Sequence, residues 1–201
     1  MSTSRLIRLL LPTVLGAMII GGCSFEQEFG YVQSADGTLS FRYPADWTDV
    51  QLDPVASEWV AGIDGAAVPS ADNAETLVLD NPFVVAQVLA LEPQLRDQAT
   101  LGQLRQLALT DQRDPLTDDP TIRVRFHQTL VDEVGFEGHH IRFELDLEGQ
   151  TIVEEHLAVF DPERTTVQRV RVACSMTCFD ENTDSIEEIF RSIAFREAAE
   201  E

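Results

Sequence analysis

Between residues 121 and 174 the chain reads as four strands in direct succession, at about 121–131, 138–147, 151–160 and 165–174. The links leave no room for a crossover helix. Glu148-Gly149-Gln150 joins the second strand to the third. Asp161-Pro162-Glu163-Arg164 joins the third to the fourth, with Pro at the favoured second position of a turn. Strands joined this tightly run antiparallel, because a parallel neighbour needs a crossover of about a dozen residues. The rest of the chain has to cover the faces of that meander.

The flanking sequence supplies the cover. Phe29 to Gln33 and Leu39 to Tyr43 read as strands around the turn Ala35-Asp36-Gly37-Thr38, with Pro44 ending the second. A short strand falls near Glu58 to Ile63, within an irregular stretch at 53–74. Phe83 to Leu91 is a near-continuous apolar run, suited to a central strand buried on both faces. Thr100 and Gln103 form a capping box for a helix whose Leu101, Leu104, Leu107 and Ala108 share one face. Near the end, Ile186, Ile189, Phe190 and Ile193 repeat at helical spacing, with Thr183 or Asp184 as the cap. Strands, one helix, a meander and a terminal helix make an α+β fold with a mostly antiparallel sheet.

Ahead of this domain stands a leader. Arg5 and Arg8 precede the apolar run Leu9 to Ile20, which is short for a membrane-spanning helix. Ile20-Gly21-Gly22-Cys23 resembles the lipobox of bacterial lipoprotein leaders, although Leu is the usual residue at the place of Ile20. The resemblance implies removal of residues 1–22 and a diacylglyceryl group on Cys23, so that lipid anchors the chain in the cell membrane or outer membrane, facing away from the cytoplasm. The alternative is an ordinary secreted protein cleaved nearby. Residues 23–28 are a short tether of under about 20 Å, which keeps the domain against the bilayer.

The chain has 35 acidic residues against 14 basic ones, and every basic residue is Arg. Without the leader's two arginines the balance is 12 against 35, a formal charge of −23. Nucleic acid is excluded as a partner, since it requires a basic footprint. So large a charge favours solubility and a monomer, and gives no hold on an anionic membrane. With Cys23 assigned to lipid, Cys174 and Cys178 remain as an even pair outside the cytoplasm, a disulfide candidate. A redox-active pair is the alternative, without the two-residue spacing of thioredoxin-type motifs.

Gly37-Thr38-Leu39-Ser40-Phe41-Arg42-Tyr43-Pro44-Ala45-Asp46-Trp47 resembles the opening motif of PsbP-like domains, roughly Phe-x-Tyr-Pro-x-x-Trp, carried here by Phe41, Tyr43, Pro44 and Trp47. That family includes the photosystem II protein PsbP, MOG-type Ran-binding proteins and bacterial lipoproteins of the LpqN kind. Ile189 to Phe195 is similar to the family's closing helix and short strand, with two residues between Ser192 and Phe195. The resemblance covers about 29–196, leaving 197–201 as a tail. It implies an α/β/α sandwich around an antiparallel sheet, and a binding or assembly module with no shared catalytic residues.

Candidate chemistry is sparse. His139 and His140 are adjacent on a strand, so they point to opposite faces and do not share a metal. With a three-residue loop at 148–150 and a four-residue loop at 161–164, Arg142, His156 and Arg169 form one cross-strand row, and Glu144, Glu154 and Arg171 the next. These six make a candidate polar binding face; the plainer reading is a self-compensating solvated face. There is no nucleophile elbow, phosphate loop or metal-spaced cluster, so no catalytic residue, metal or cofactor is assigned. The expected function is a non-catalytic module binding a protein partner. The alternative is a carrier or sensor of a small apolar ligand, held in a cavity lined by side chains such as Phe83, Leu104 or Phe190.

Overall fold

A computed structural model describes residues 29–52, 59–65, 80–109, 114–147 and 149–197. The leader, Cys23, the tether and the tail beyond Glu197 lie outside the described residues. In chain order the elements are β1 (Phe29–Gln33), β2 (Leu39–Pro44), β3 (Thr48–Val50), β4 (Trp59–Asp64), β5 (Phe83–Ala90), α1 (Pro93–Arg96), α2 (Leu101–Gln106), β6 (Ile122–Val131), β7 (Glu137–Leu147), β8 (Gln150–Phe160), β9 (Thr166–Ser175), α3 (Met176–Glu181), α4 (Thr183–Ser192) and β10 (Ala194–Phe195). Seven strands form the main sheet in the order β3-β4-β5-β9-β8-β7-β6, and β1-β2-β10 form a small one. Every pairing is antiparallel.

The meander is present as a four-stranded half-sheet, and β5 lies between β4 and β9 as its apolar run requires. One face of the main sheet presents Val84, Ala86, Val170, Val172, Leu157 and Val159. It packs against α3, α4 and the small sheet through Ile186, Ile189, Phe179, Leu39 and Phe41. Phe41, Tyr43 and Trp47 are all buried in this core, so the opening motif is a packing device. Opposite it, α2 and residues 107–109 lie on the other face, with Leu104, Ala108 and Leu109 against Ile141, Phe143, Ala158 and Phe160. Thr100 and Gln103 cap α2 reciprocally. Helices on both faces of an antiparallel sheet give the α/β/α sandwich.

Two local readings change. α3 begins directly at Met176, so the residues between Cys174 and Cys178 are a helix cap and first turn rather than a loop. Ser175 Oγ accepts from the Cys178 N–H at 3.3 Å. Both cysteines are buried free thiols, unbonded and hydrogen-bonded to each other, which with burial pushes the Cys174 thiol well up. α4 follows without a side-chain cap: Thr183 is its first residue and donates back to Phe179 O at 2.9 Å. Asn182 stands at the junction of the two helices.

Candidate functional site

Which side chains meet across this sheet depends on how its hairpins close. Gly149, at φ 89, closes a two-residue link, so Leu147 pairs with Gln150. One residue fewer than a 148–150 loop slips β7 against β8 by one position, and a slip of one exchanges the faces. Arg142 therefore lies opposite Glu155, and Glu144 opposite Val153. At the next turn the chain runs to Thr166 before pairing resumes, with Arg164 at φ 53 and Asp161 Oδ1 accepting from the Thr166 N–H at 2.8 Å. That shift is two positions, which preserves parity: His156 lies opposite Arg171 and stays on one face with Glu154 and Arg169.

The six residues of the candidate polar face are thus split. Arg142 and Glu144 lie on the face covered by α3 and α4. Glu154, His156, Arg169 and Arg171 lie on the α2 face, in a largely buried network. Arg169 donates to Gln87 Oε1 from Nε at 2.7 Å and to Leu107 O at 2.8 Å, tying the sheet to the end of α2. Burial pulls its pKa down to about 10. Arg171 Nη2 donates to Glu154 Oε1 at 3.2 Å. Its Nε lies 2.9 Å from Oε2, close enough for an ion pair but without hydrogen-bond alignment. His156 Nδ1 meets His139 Nε2 at 3.2 Å. Burial is the main cause that holds both imidazoles neutral, His139 at about 3 and His156 well below its ordinary value.

The other face holds an open groove of about 430 Å³ between α4 and strands β6 to β8. His139 and His140 do point to opposite faces: His139 is fully buried and His140, partly exposed, lines the groove. At the groove's floor is Glu155, a buried carboxylate that the sequence reading did not single out. It takes His140 Nε2 at 2.6 Å on one oxygen and donation from Arg142 Nε at 2.7 Å on the other. Phe190 of α4 stacks on His140, and Phe126 of β6 meets the same ring edge-on, each with centroids 5.0 Å apart. Arg142 also lies over the Phe179 ring. Glu187 and Arg191 form the α4 rim.

Beside the groove, a bulge in β6 between Val124 and Phe126 lets both Arg123 and Arg125 reach Glu144, with contacts of 2.5 to 3.0 Å. Arg125 foremost, then Arg123, holds the Glu144 carboxyl below the usual range. Two guanidinium groups on one carboxylate leave a positive balance. The groove lining contains a carboxylate–imidazole pair but no hydroxyl or thiol. Among the described residues no group of three or more His, Cys, Asp or Glu is placed to hold a metal ion. The arrangement can bind a mixed-charge surface bearing an apolar or aromatic group.

A second cavity, of about 180 Å³, opens on the α2 face. Leu104 lines it with Leu91, Leu107, Phe160 and Val167, and Gln98 and Gln103 add amide groups. Of the other two side chains expected around an apolar ligand, Phe190 lines the polar groove and Phe83 packs against the main core.

No family model matches the chain, and no curated protein sequence matches it. Solved structures do. The chain is similar to cyanobacterial PsbP (CyanoP) from Synechocystis sp. PCC 6803, with a TM-score of 0.57 and 9% identity over 88% of this chain and 99% of that one. It is similar to the Ran-binding protein Mog1p of Saccharomyces cerevisiae, with a TM-score of 0.50 and 13% identity over 83% and 95%. LpqN of Mycobacterium tuberculosis, described as involved in cell envelope biogenesis, overlaps with a TM-score of 0.48 and 13% identity over 84% and 91%. The chain has the PsbP-like fold.

Proposed function

We propose that this chain is an extracytoplasmic lipoprotein, held in the cell membrane or outer membrane by lipid on Cys23, whose PsbP-like domain at 29–196 binds a protein partner without catalysing a reaction. The observation that carries the binding role is the groove between α4 and β6–β8. Arg142 and Arg191 line it with Glu155 and Glu187, and Arg123 and Arg125 stand beside it on Glu144, next to a half-exposed Phe126 and with no nucleophile in the lining. Aromatic and arginine side chains are the enriched anchors of protein interfaces. A fold shared with a yeast Ran-binding protein supports protein binding as one use of it.

A photo-crosslinking residue at position 187, on the groove rim, tests this in intact cells. The expected result is a discrete adduct lost in Phe126→Ser and Arg142→Gln variants that retain wild-type stability. No adduct, or one indifferent to both variants, counts against the reading. Intact mass of the membrane-extracted protein tests the anchor separately. Loss of residues 1–22 with an acyl mass on Cys23 is expected, and an unmodified amino terminus elsewhere refutes it.

The α2-side cavity supports a second reading, a carrier of a small apolar ligand. An apolar cavity of about 150 Å³ is known to stay dry and take up benzene, so one aromatic ring or a short alkyl chain matches the space here. Benzene titrated into the protein is expected to shift the Leu104 and Leu107 methyl resonances, and Ala99→Phe, which fills the cavity, to abolish the shift. Unchanged methyl shifts remove this reading.

A further inference from the structure

Among the described residues, β6 is an outer strand of the main sheet, paired on one side only, to β7. It runs for ten residues, and Arg125 to Thr129 are exposed without interruption. Its outer edge presents backbone N–H and C=O groups that a further strand can pair with. It carries Arg123, Arg125 and His127 and no acid, on a protein of net charge −21. Three of the acids around it are already committed. Glu144 holds the two arginines, while Asp132 accepts the N–H groups of Val134, Gly135 and Phe136 in the β6–β7 turn. Asp119 accepts from Thr121.

We infer that β6 is the docking edge for an extended acidic segment of a partner protein, added to the main sheet as an eighth strand; this rests on the protein-binding reading above. Strand addition takes its affinity from main-chain hydrogen bonds and its specificity from alternate side chains. Carboxylates on one side of the incoming segment reach Arg123 and Arg125, whose side chains remain 63% and 50% exposed despite their contact with Glu144. An aromatic or apolar side chain on the same side enters the groove beside Phe126, where His140 and Phe190 offer ring faces.

The same charges exclude a second copy of this chain. A second copy offers a β6 with no carboxylate to meet Arg123 and Arg125, and it brings together two bodies of charge −21. Basic side chains and a bulge are devices that protect a sheet edge from its own kind. Here they leave the edge open to the opposite charge. The acids elsewhere on the surface are screened beyond about 8 Å at physiological ionic strength, whereas the local cations are in direct reach.

The test uses a labelled peptide of about seven residues, Val-Glu-Val-Phe-Val-Glu-Val, which places Phe on the side of its Glu residues, and follows binding by fluorescence anisotropy and hydrogen exchange. Expected results are saturable binding, new amide protection within 122–131, and loss of about tenfold or more in affinity for three comparisons. These are the Lys-for-Glu peptide, the same peptide N-methylated at alternate residues, and the Arg123→Gln/Arg125→Gln protein, whose β8 protection reports that it is folded. No binding, equal binding of the N-methylated peptide, or protection outside β6 overturns the inference. An adduct from position 187 that persists when the β6 edge is not engaged leaves the binding role standing and removes only this mode.

Discussion

Moderate acid is expected to weaken this fold through His139 and His156, well before its carboxylates titrate. The two imidazoles share one hydrogen bond of 3.2 Å beneath α2, and among the described residues their outer nitrogens, His139 Nδ1 and His156 Nε2, have no partner. Burial is the first cause depressing both. The groups that bear on them lie on several elements: Arg105 and Asp114 at α2 and the loop after it, His127 on β6, His140 on β7, and Arg169 and Arg171 on β9. Only Asp114 favours the charged form, and it is already bound to Arg105 at 2.7 Å.

The sign follows from linkage. Each histidine takes up a proton near its ordinary value of 6.5 when unfolded but stays neutral when folded. Stability is therefore full above that value and falls as pH drops through it. From pH 7 to 5.5 an unfolded histidine goes from about one-quarter to about nine-tenths protonated. The integrated loss is about 1.3 kcal/mol per histidine, or about 2.5 kcal/mol for the pair. Asp36, Asp114 and Glu144 have lowered pKa values and act only below the ordinary carboxylate range. Glu154, raised by burial, opposes the trend: it contributes stability at low pH and loses it as pH rises through its folded value. Its contribution cancels when wild type is compared with the His139→Leu/His156→Leu protein.

Urea unfolding at pH 7 and 5.5 measures that difference. The wild type is expected to lose about 2.5 kcal/mol more than the double variant over this interval. Histidine ring resonances followed by NMR supply a check that needs no variant: two imidazoles are expected to stay neutral at pH 5. Equal pH dependence in both proteins, or two-proton titration of the buried rings near 6.5, refutes the reasoning.

Other perturbations have sharp expectations. Gly138→Ala places a methyl group 2.0 Å from the Ala158 carbonyl oxygen, so the β7–β8 backbones have to move apart; urea unfolding is expected to show a loss of about 1–3 kcal/mol. Phe41→Ala removes a ring that is 1% exposed at the junction of the small sheet and α4. A loss of about 3–5 kcal/mol is expected in the same assay. Cys174 and Cys178 are buried, and the Cys174 thiol is pushed up. Iodoacetamide is expected to label them far more slowly in the folded protein than in urea, as read by intact mass.

The elements were legible because each rests on local chemistry. The alternation of Leu39, Phe41 and Tyr43, the Thr100–Gln103 box and the apolar stripe of α4 are properties of short segments, and each lies where those segments place it. α3 was hidden because it is only six residues long, with Ser175 as its cap serving equally well as a loop residue. The candidate site is a different kind of object. His140, Arg142 and Glu155 meet only because Leu147 pairs with Gln150, and moving that closure by one residue sends Arg142 toward His156 instead. A glycine as the second residue of a two-residue link, able to take φ 89, is the one signal that favoured the shorter turn. The turn after β8 is two residues longer than a loop of 161–164, yet the consequence is smaller, because an even slip keeps Glu154, His156, Arg169 and Arg171 on a common face. What then separated a solvated charge ladder from a buried network was the position of α2, a contact between segments more than 50 residues apart, as in the Arg169 to Leu107 hydrogen bond at a separation of 62. A site assembled across strands is readable from sequence only as far as the parity of its turns is, and its burial only as far as the packing of the helix that covers it.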